Sequence, residues 1–228
     1  MKLAVFGGSG LAGSAIIELA LSQGDEVRAL IRPRSAPPAG LPDRSVVRGD
    51  ALDATAVADT VNGTDAIITT LGGYRGPESL SVGTANIVAA MRADGIVRLV
   101  VLQGFHLHFP GDPHTLRSRM VAAYLDRQCP ALIPNGQKMA ELLLRTNDIA
   151  WTLFRIPRIA PGPPTGRVQL GTFRLGPLSS VRLGDLSEQL LTAARSGMLA
   201  RQAPMLYTSH RRPPGDAAPI VRDRRVTH

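Results

Sequence analysis

A glycine-rich segment directly follows the first apolar run of the chain. Residues 7–13 read Gly-Gly-Ser-Gly-Leu-Ala-Gly, which gives Gly7, Gly10 and Gly13 the G-x-x-G-x-x-G spacing. Between a strand and a helix, glycines at this spacing permit a tight turn, a close approach of the backbone to a pyrophosphate, and close packing of helix on strand. The segment therefore favours a dinucleotide site over a purely structural glycine turn. The residues predicted to line this part of the site are Gly7, Ser9, Gly10, Leu11 and Gly13.

A basic residue stands at the end of the second apolar run. Residues 26–31 are followed by Arg32, with Arg34 and Ser35 close behind. A site for NAD(H) is expected to carry a carboxylate here, because a carboxylate accepts hydrogen bonds from the adenosine ribose. A guanidinium instead pairs with a 2′-phosphate. Arg32, helped by Arg34 or Ser35, predicts NADP(H) as the cofactor, and the alternative is a solvated loop arginine.

The third and fourth apolar runs also end in residues suited to this site. Asp50 and Ala51 follow the third run, and Leu71, Gly72 and Gly73 follow the fourth. Because the carboxyl ends of strands line the ligand crevice of a doubly wound sheet, the Asp50 carboxylate could accept from an adenine amino group. The glycines would let a cofactor pass close to the backbone. The alternatives are that Asp50 caps the next helix and that the glycines only turn the chain.

Strands and helices must alternate to bring these segments together. Short runs of Val, Leu and Ile do alternate with longer stretches of helical periodicity, which predicts an α/β fold with a parallel sheet buried on both faces. The predicted strands are 2–6, 26–31, 45–48, 66–69, 98–102, 150–154 and 205–207. The predicted helices are 11–22, 54–60, 79–94 and 137–145. Residues 115–127 could hold a further helix in an otherwise irregular segment.

The composition restricts the class of protein. The net charge of +8 is spread along the chain, except near the end, so the sequence does not predict a nucleic-acid-binding face; the basic terminal residues are interpreted as solvated rather than as a binding arm. The chain has one cysteine, Cys129, and no apolar stretch of roughly 20 residues. We therefore expect a cytoplasmic monomer or homodimer with a small-molecule substrate and no nucleic-acid or membrane partner.

Taken together, these residues resemble the atypical short-chain dehydrogenase/reductases of the NmrA-like and biliverdin reductase B (flavin reductase)-like group. The resemblance covers residues 1–208 and includes Gly49-Asp50, residues 83–91 before the fifth strand, and residues 138–141 before the sixth. It implies a single Rossmann-type domain, with a doubly wound parallel sheet and a small C-terminal substrate-cap region. It also implies bound NADP(H). The cap segments are expected at 105–136 and 157–200, and a disordered basic tail at 209–228.

The chain departs from this family at the groups that handle protons. Members carry a Tyr-x-x-x-Lys pair, and here Lys138 stands with Pro134 in the tyrosine position. Gln103 ends the fifth strand where the family often has serine, and Gln137 takes the place of a histidine of biliverdin reductase B. The resemblance still implies that Lys138 is a catalytic residue that holds the nicotinamide ribose. The other residues expected beside the nicotinamide are Gln103, Pro157 and Ile159.

Histidines after the fifth strand offer another proton donor. His106 could act as a substitute general acid, and the alternative is a plain loop histidine. A metal site built from His106, His108 and His114 is disfavoured, because the nearby carboxylate is Asp112 alone and prolines break the spacing. No metal is expected.

The residues, together with what this resemblance implies, predict an NADPH-dependent oxidoreductase that transfers hydride to a flat conjugated molecule, such as a flavin, a quinone or an aromatic natural-product intermediate. Arg155 and Arg158 could orient an acidic or phenolic substrate, or could form surface ion pairs. Two alternatives remain: a non-catalytic NADP(H)-sensing regulatory protein of NmrA type, and a non-redox isomerase or cyclase on the same fold.

Overall fold

A computed structural model of the protein describes residues 1–72, 74, 76–110, 112, 116–172 and 179–209. Within these residues the chain alternates strands and helices. The strands are β1 (Lys2–Phe6), β2 (Glu26–Ile31), β3 (Val46–Arg48), β4 (Ala66–Thr69), β5 (Arg98–Gly104), β6 (Ala150–Ile156), β7 (Arg158–Ala160), β8 (Val168–Gly171), β9 (Ser180–Arg182) and β10 (Met205–Thr208). The α-helices are α1 (Leu11–Ser22), α2 (Ala54–Val61), α3 (Thr84–Ala93), α4 (Leu116–Gln128), α5 (Leu132–Arg145) and α6 (Leu183–Ser196).

Eight of the strands form one sheet in the order β3-β2-β1-β4-β5-β6-β10-β8. Every neighbouring pair is parallel except β10 and β8, which run antiparallel. The strand order reverses between β1 and β4, and this reversal opens a crevice at the carboxyl ends of those strands. Strands β7 and β9 form a separate parallel pair. The predicted α/β, Rossmann-type fold is confirmed.

The sheet is buried on both faces, as its uninterrupted apolar strands predict. Along β1, Leu3 and Val5 pack into the core that includes α1 and α6. Ala4 and Phe6 pack into the opposite core, which includes α2, α3 and α5. Successive side chains of a strand point to opposite faces, so a strand with helices on both sides must be apolar throughout.

Helix α6 was not predicted. It lies within the segment 157–200 that we expected to contribute to a substrate cap, but Leu186 and Leu190 pack in the same core as Ile16 and Ile17 of α1. The helix ends at Gly197, whose φ of 70° is the left-handed conformation that favours glycine. Part of this segment therefore belongs to the central layers of the domain.

Two helices begin differently from their predictions. Helix α5 begins at Leu132, five residues before the predicted start at 137. Pro134 lies in its first turn, where the backbone N–H has no partner within the helix and its absence costs little. The predicted helix over 79–94 begins as a π-helical turn at Ser79–Gly83, and α3 follows it.

The last described residues of the chain pack against an earlier loop. Residues 210–228, most of the expected tail, lie outside the described residues, whereas the Ser209 amide donates to the Arg167 carbonyl oxygen at 2.7 Å. Among the described residues, no helix has the length and apolar character that crossing a membrane requires.

Candidate dinucleotide-binding and active site

The glycine turn between β1 and α1 has the geometry that its sequence predicts. Gly7 has a φ of +79°, and the Gly10 amide donates to the Gly7 carbonyl oxygen at 3.0 Å. A Cβ added at Gly13 would lie 2.3 Å from that oxygen, so only glycine allows α1 to pack this closely. No described side chain caps α1, and its first turn has no acidic residue. Its N-terminal amides are therefore available to an anion.

A cavity of about 630 Å³ opens in front of this turn, at the carboxyl ends of β1, β2, β3 and β4. Its volume is in the range typical of small-molecule sites. The predicted residues in its wall are Gly7, Ser9, Gly10, Arg32, Ser35, Asp50, Ala51, Leu71 and Gly72. The wall residues that the sequence did not predict are Leu30, Ala36, Gly49, Leu52, Thr70, Tyr74, Gly76 and Ser79. Gly73 lies outside the described residues.

The Arg32 side of the cavity is formed by a tight turn. The Ser35 amide donates to the Arg32 carbonyl oxygen at 2.9 Å. Arg48, which the sequence analysis did not single out, donates through Nη1 to the carbonyl oxygens of Ser35 at 2.6 Å and Arg32 at 3.3 Å. Arg34 is exposed and does not belong to the described wall.

Asp50 lies in the wall between the glycine turn and α2. Its Oδ1 accepts from the Leu52 amide at 3.0 Å. The alternative role as the α2 cap is wrong, because Asp53 caps that helix by accepting from the amides of Thr55 at 2.9 Å and Ala56 at 3.3 Å. Asp50 is therefore a carboxylate of the cavity that no helix cap requires.

Gln103 fixes the loop that follows β4. The side chain is buried at the end of β5, and its Nε2 donates to the Leu71 carbonyl oxygen at 2.9 Å. Leu71 also packs beside a small apolar cluster that contains Leu80 and Leu132. Gln103 therefore sets the position of the Leu71 backbone, which lies in the cavity wall.

Several predicted residues lie outside the described wall. Lys138 is exposed on α5, one helical turn after Asn135, whose Oδ1 accepts from Ser81 Oγ at 2.5 Å. Ser79, in the same π-helical turn as Ser81, does line the cavity. Lys138 itself does not form part of the described wall. The remaining predicted residues outside the wall are Leu11 and Gly13, at the start of α1, and Pro157 and Ile159, around β7.

His106 follows β5 and folds back on it. A Cβ added at Gly104 would lie 2.4 Å from the His106 ring, so the ring is packed against the strand end. Burial, and secondarily the charge of His108, lower the pKa of His106 to about 4. Its imidazole is therefore neutral at physiological pH. His114 lies outside the described residues, and within them no three His, Cys, Asp or Glu side chains form a possible metal site.

Arg155 is internal, so the prediction of a surface ion pair is wrong for this residue. Its side chain is 2% exposed and forms a two-pronged ion pair with Asp112, which is 4% exposed. Its Nε donates to the Ala203 carbonyl oxygen at 2.8 Å, and its Nη1 to that of Leu107 at 3.1 Å. Arg155 thus ties the loop after β5, which carries His106, to β6. Arg158 is exposed.

Tyr74 is a phenol in the wall that the sequence analysis did not place there. Its ring lies close to Gly72, and the side chain is 63% exposed. Partial burial of the residue, and secondarily its electrostatic interaction with Cys129, raise the pKa of Tyr74 above its ordinary value. Its hydroxyl therefore keeps its proton throughout the physiological pH range. Its position in the sequence, directly after the Gly72-Gly73 segment predicted to line the site, was the signal that could have identified it.

Proteins of two bacteria resemble this chain in sequence. An uncharacterized protein, YwnB, of Bacillus subtilis is 27% identical over 155 residues, which are 68% of this chain and 70% of that protein. A 3-diazoavenalumate denitrifying reductase of a Streptomyces species is 30% identical over 187 residues; the match covers 75% of this chain and 60% of the reductase.

Solved structures share the fold. ChuY, an anaerobilin reductase of Escherichia coli, superposes with a TM-score of 0.73 at 20% identity over 94% of this chain and 100% of its own. A candidate NADH-flavin reductase of Streptococcus pneumoniae has a TM-score of 0.64 at 22% identity over 92% of this chain and 100% of its own. Residues 7–194 match the NAD(P)H-binding family, in line with the resemblance to atypical short-chain dehydrogenase/reductases. The chain belongs to the NAD(P)H-binding family.

Proposed function

We propose that the protein is an NADPH-dependent oxidoreductase that transfers hydride to a flat conjugated small molecule, such as a flavin, a quinone or an aromatic natural-product intermediate. The observation that carries the proposal is the single cavity that joins the glycine turn, Arg32 and Asp50. The names of the Streptomyces reductase and of ChuY support a reductive reaction. A nicotinamide cofactor and a chain with one cysteine fit a cytoplasmic location.

Each part of the cavity suits one part of NADPH. The uncapped N-terminus of α1 would bind the pyrophosphate through its amides. Arg32 and the Ser35 hydroxyl would bind the 2′-phosphate, since no carboxylate stands at the end of β2 to accept from a free ribose. Asp50 would accept from the adenine amino group. Lys138 would hold the nicotinamide ribose at the α5 side of the site, with Leu71 and Gly72 beside the cofactor.

The groups around the proposed nicotinamide end favour a hydride acceptor that does not need a general acid from the protein. The chemistry that NADPH would supply when bound here is hydride transfer from its nicotinamide. A His106 with a pKa of about 4 is not a charged acid at neutral pH. A flavin or quinone can take its proton from water after hydride arrives, whereas a simple carbonyl needs a placed acid. The phenol of Tyr74, which lines the cavity, is a proton source in addition to water.

The test combines binding with turnover. The protein is titrated with NADPH and with NADH, and NADPH absorbance is then followed by stopped flow with a panel of flavins and quinones. We expect NADPH to bind about tenfold or more tightly than NADH. We also expect saturable NADPH oxidation with at least one acceptor. Arg32→Ala should abolish the preference for NADPH, and Arg44→Ala, which removes an exposed arginine outside the described wall, should retain it.

Other results would identify a different function. Tight NADPH binding with no oxidation by any acceptor would favour the sensor of NmrA type. Conversion of a substrate without NADPH consumption would favour the isomerase or cyclase. Failure to bind either nucleotide would refute the proposal.

A further inference from the structure

Arg48 is bonded to the turn that presents Arg32 to the cavity. It is the last residue of β3 and pairs in register with Ile31, the last residue of β2. Adjacent strands lie about 4.8 Å apart, so Arg48 and Arg32 leave neighbouring strand ends side by side. The Arg48 guanidinium reaches across and donates from one nitrogen to the carbonyl oxygens of Ser35 and Arg32, at 2.6 and 3.3 Å.

The segment that Arg48 binds is a four-residue turn. The Ser35 amide donates to the Arg32 carbonyl oxygen at 2.9 Å, and Pro33 occupies the second position, where its fixed φ suits a β-turn. The first and last residues, Arg32 and Ser35, line the cavity, and so does Ala36. Arg34 occupies the third position and is exposed. The turn thus places Arg32 and Ser35 in the wall of one cavity.

The carbonyl oxygens of such a turn are a disadvantage beside an anion. Each carries partial negative charge, and an uncompensated carbonyl next to a phosphate repels it. Arg48 occupies the carbonyls of Arg32 and Ser35 with N–H donors and adds a second positive charge at the same place. Guanidinium groups keep their charge at all physiological pH values and fix planar hydrogen-bond geometry, so the arrangement holds both the shape and the potential of the turn.

We propose that Arg48 is a positioning residue that contributes to the specificity of this site for a 2′-phosphorylated adenosine. It holds the Arg32–Ser35 turn in the conformation that receives the phosphate and neutralises the turn carbonyls. The inference rests on the proposed use of NADP(H). It goes beyond that proposal in assigning part of the preference to a residue on β3, whose guanidinium is bonded to the turn.

The test measures binding by the intact chain, without turnover. Adenosine 2′,5′-bisphosphate and ADP are titrated by calorimetry into the wild type and three variants: Arg48→Ala, Arg48→Lys and Arg44→Ala. Arg44 is the matched control, because it is an exposed arginine four residues before Arg48, with the same charge. Thermal melting of each variant checks that it is folded.

For Arg48→Ala we expect about a tenfold loss of affinity for the bisphosphate, with ADP affinity within about twofold of wild type, because a charge-assisted contact is worth roughly that factor. Arg48→Lys should recover only part of the loss, since one ammonium lacks the planar fork. Arg44→Ala should change neither affinity.

An unchanged bisphosphate preference in folded Arg48→Ala would overturn the inference, as would an equal loss in Arg44→Ala, which would indicate net charge alone. Equal binding of both nucleotides by the wild type would overturn it too, because no preference would exist to assign. The two proposals fail separately. Absence of turnover with a retained, Arg48-dependent bisphosphate preference would refute the oxidoreductase and leave this inference standing, whereas binding of neither nucleotide would refute both.

Discussion

Replacing Arg155 with methionine should remove the anchor of the loop that carries His106. The Arg155 side chain is 2% exposed, and the Asp112 carboxylate that it pairs with is 4% exposed. Methionine fills similar apolar volume but leaves that carboxylate buried without its cation. Deleting one partner of a buried ion pair typically costs about 3–5 kcal/mol. The carbonyl oxygens of Ala203 and Leu107 also lose their donor, so we expect a loss of about 4 kcal/mol or more in the free energy of unfolding.

The assay is urea unfolding followed by circular dichroism at constant pH. Arg158→Met is the matched control, because that arginine is exposed in the next strand and should cost less than about 0.5 kcal/mol. The double variant Arg155→Met, Asp112→Leu should recover at least about 1 kcal/mol of the loss, because it no longer buries a lone charge. The Phe109 amide, which donates to Asp112 at 2.7 Å, prevents full recovery.

Two results would refute this reasoning. A loss below about 1 kcal/mol in the free energy of unfolding for Arg155→Met would mean that the ion pair contributes no more than a solvent-exposed pair. A double variant less stable than the single one would mean that the orphaned carboxylate is not the cause. In the folded variant, turnover should fall more than NADPH affinity, because the loop follows β5 whereas the adenosine part of the cavity lies on β1, β2 and β3.

Three further predictions concern single residues. Gly13→Ala places a methyl group 2.3 Å from the Gly7 carbonyl oxygen, a backbone atom that cannot move aside cheaply. Titration should show at least about a tenfold loss of NADPH affinity, and thermal melting should show a loss of about 1–3 kcal/mol in the free energy of unfolding. An unchanged NADPH affinity would contradict the close approach. His106 should contribute no inflection near pH 6.5 to kcat/KM, since its pKa is about 4; an inflection near 6.5 that His106→Gln removes would contradict that value. Burial acts to raise the pKa of Asp185, but hydrogen bonds from Thr165, Thr208 and Gly166 lower it below 3.8, so its stabilisation should be complete above about pH 4 and decline as the pH falls through the folded-state pKa. Urea unfolding should then show Asp185→Asn less stable than wild type at pH 7, with a gap that narrows below pH 4; a gap independent of pH would contradict the linkage.

Much of the described cavity wall, which we propose for the adenosine half of the cofactor, could be predicted from sequence because its determinants are local. The glycine turn, Arg32 and Asp50 each follow a strand directly, and parallel strands carry their ends to one edge of the sheet. A correct prediction of the strands was therefore enough to place these residues in one cavity wall. Sequence spacing also predicted the cost of a side chain at Gly13, since only a close helix-strand contact requires glycine there.

The residues that hold this site in place could not be predicted in the same way. Arg48 binds a carbonyl 13 residues away, and Arg155 pairs with a carboxylate 43 residues away. An arginine-rich chain gives no sign of which guanidinium is internal. Helix α6 is a different case, because Leu186, Leu190 and Ala194 are spaced as on a buried helix face and Gly197 marks the end. That pattern was present, but the family resemblance led us to expect a substrate-cap segment over 157–200.

The nicotinamide end is where family resemblance transferred least, and this bears on the chemistry. Lys138 keeps its place in sequence, but on this α5 it is exposed and outside the described wall. The three tyrosines all lie in the described part of the chain, and only Tyr74 lines this cavity; Tyr124 is exposed on α4, and Tyr207 belongs to β10. A neutral His106 and a phenol with a raised pKa are both weak acids at pH 7. Weak acids leave the largest barrier to substrates whose negative charge must be protonated as it forms. A conjugated acceptor spreads that charge over its rings, which supports our proposal that the substrate is a flat conjugated molecule.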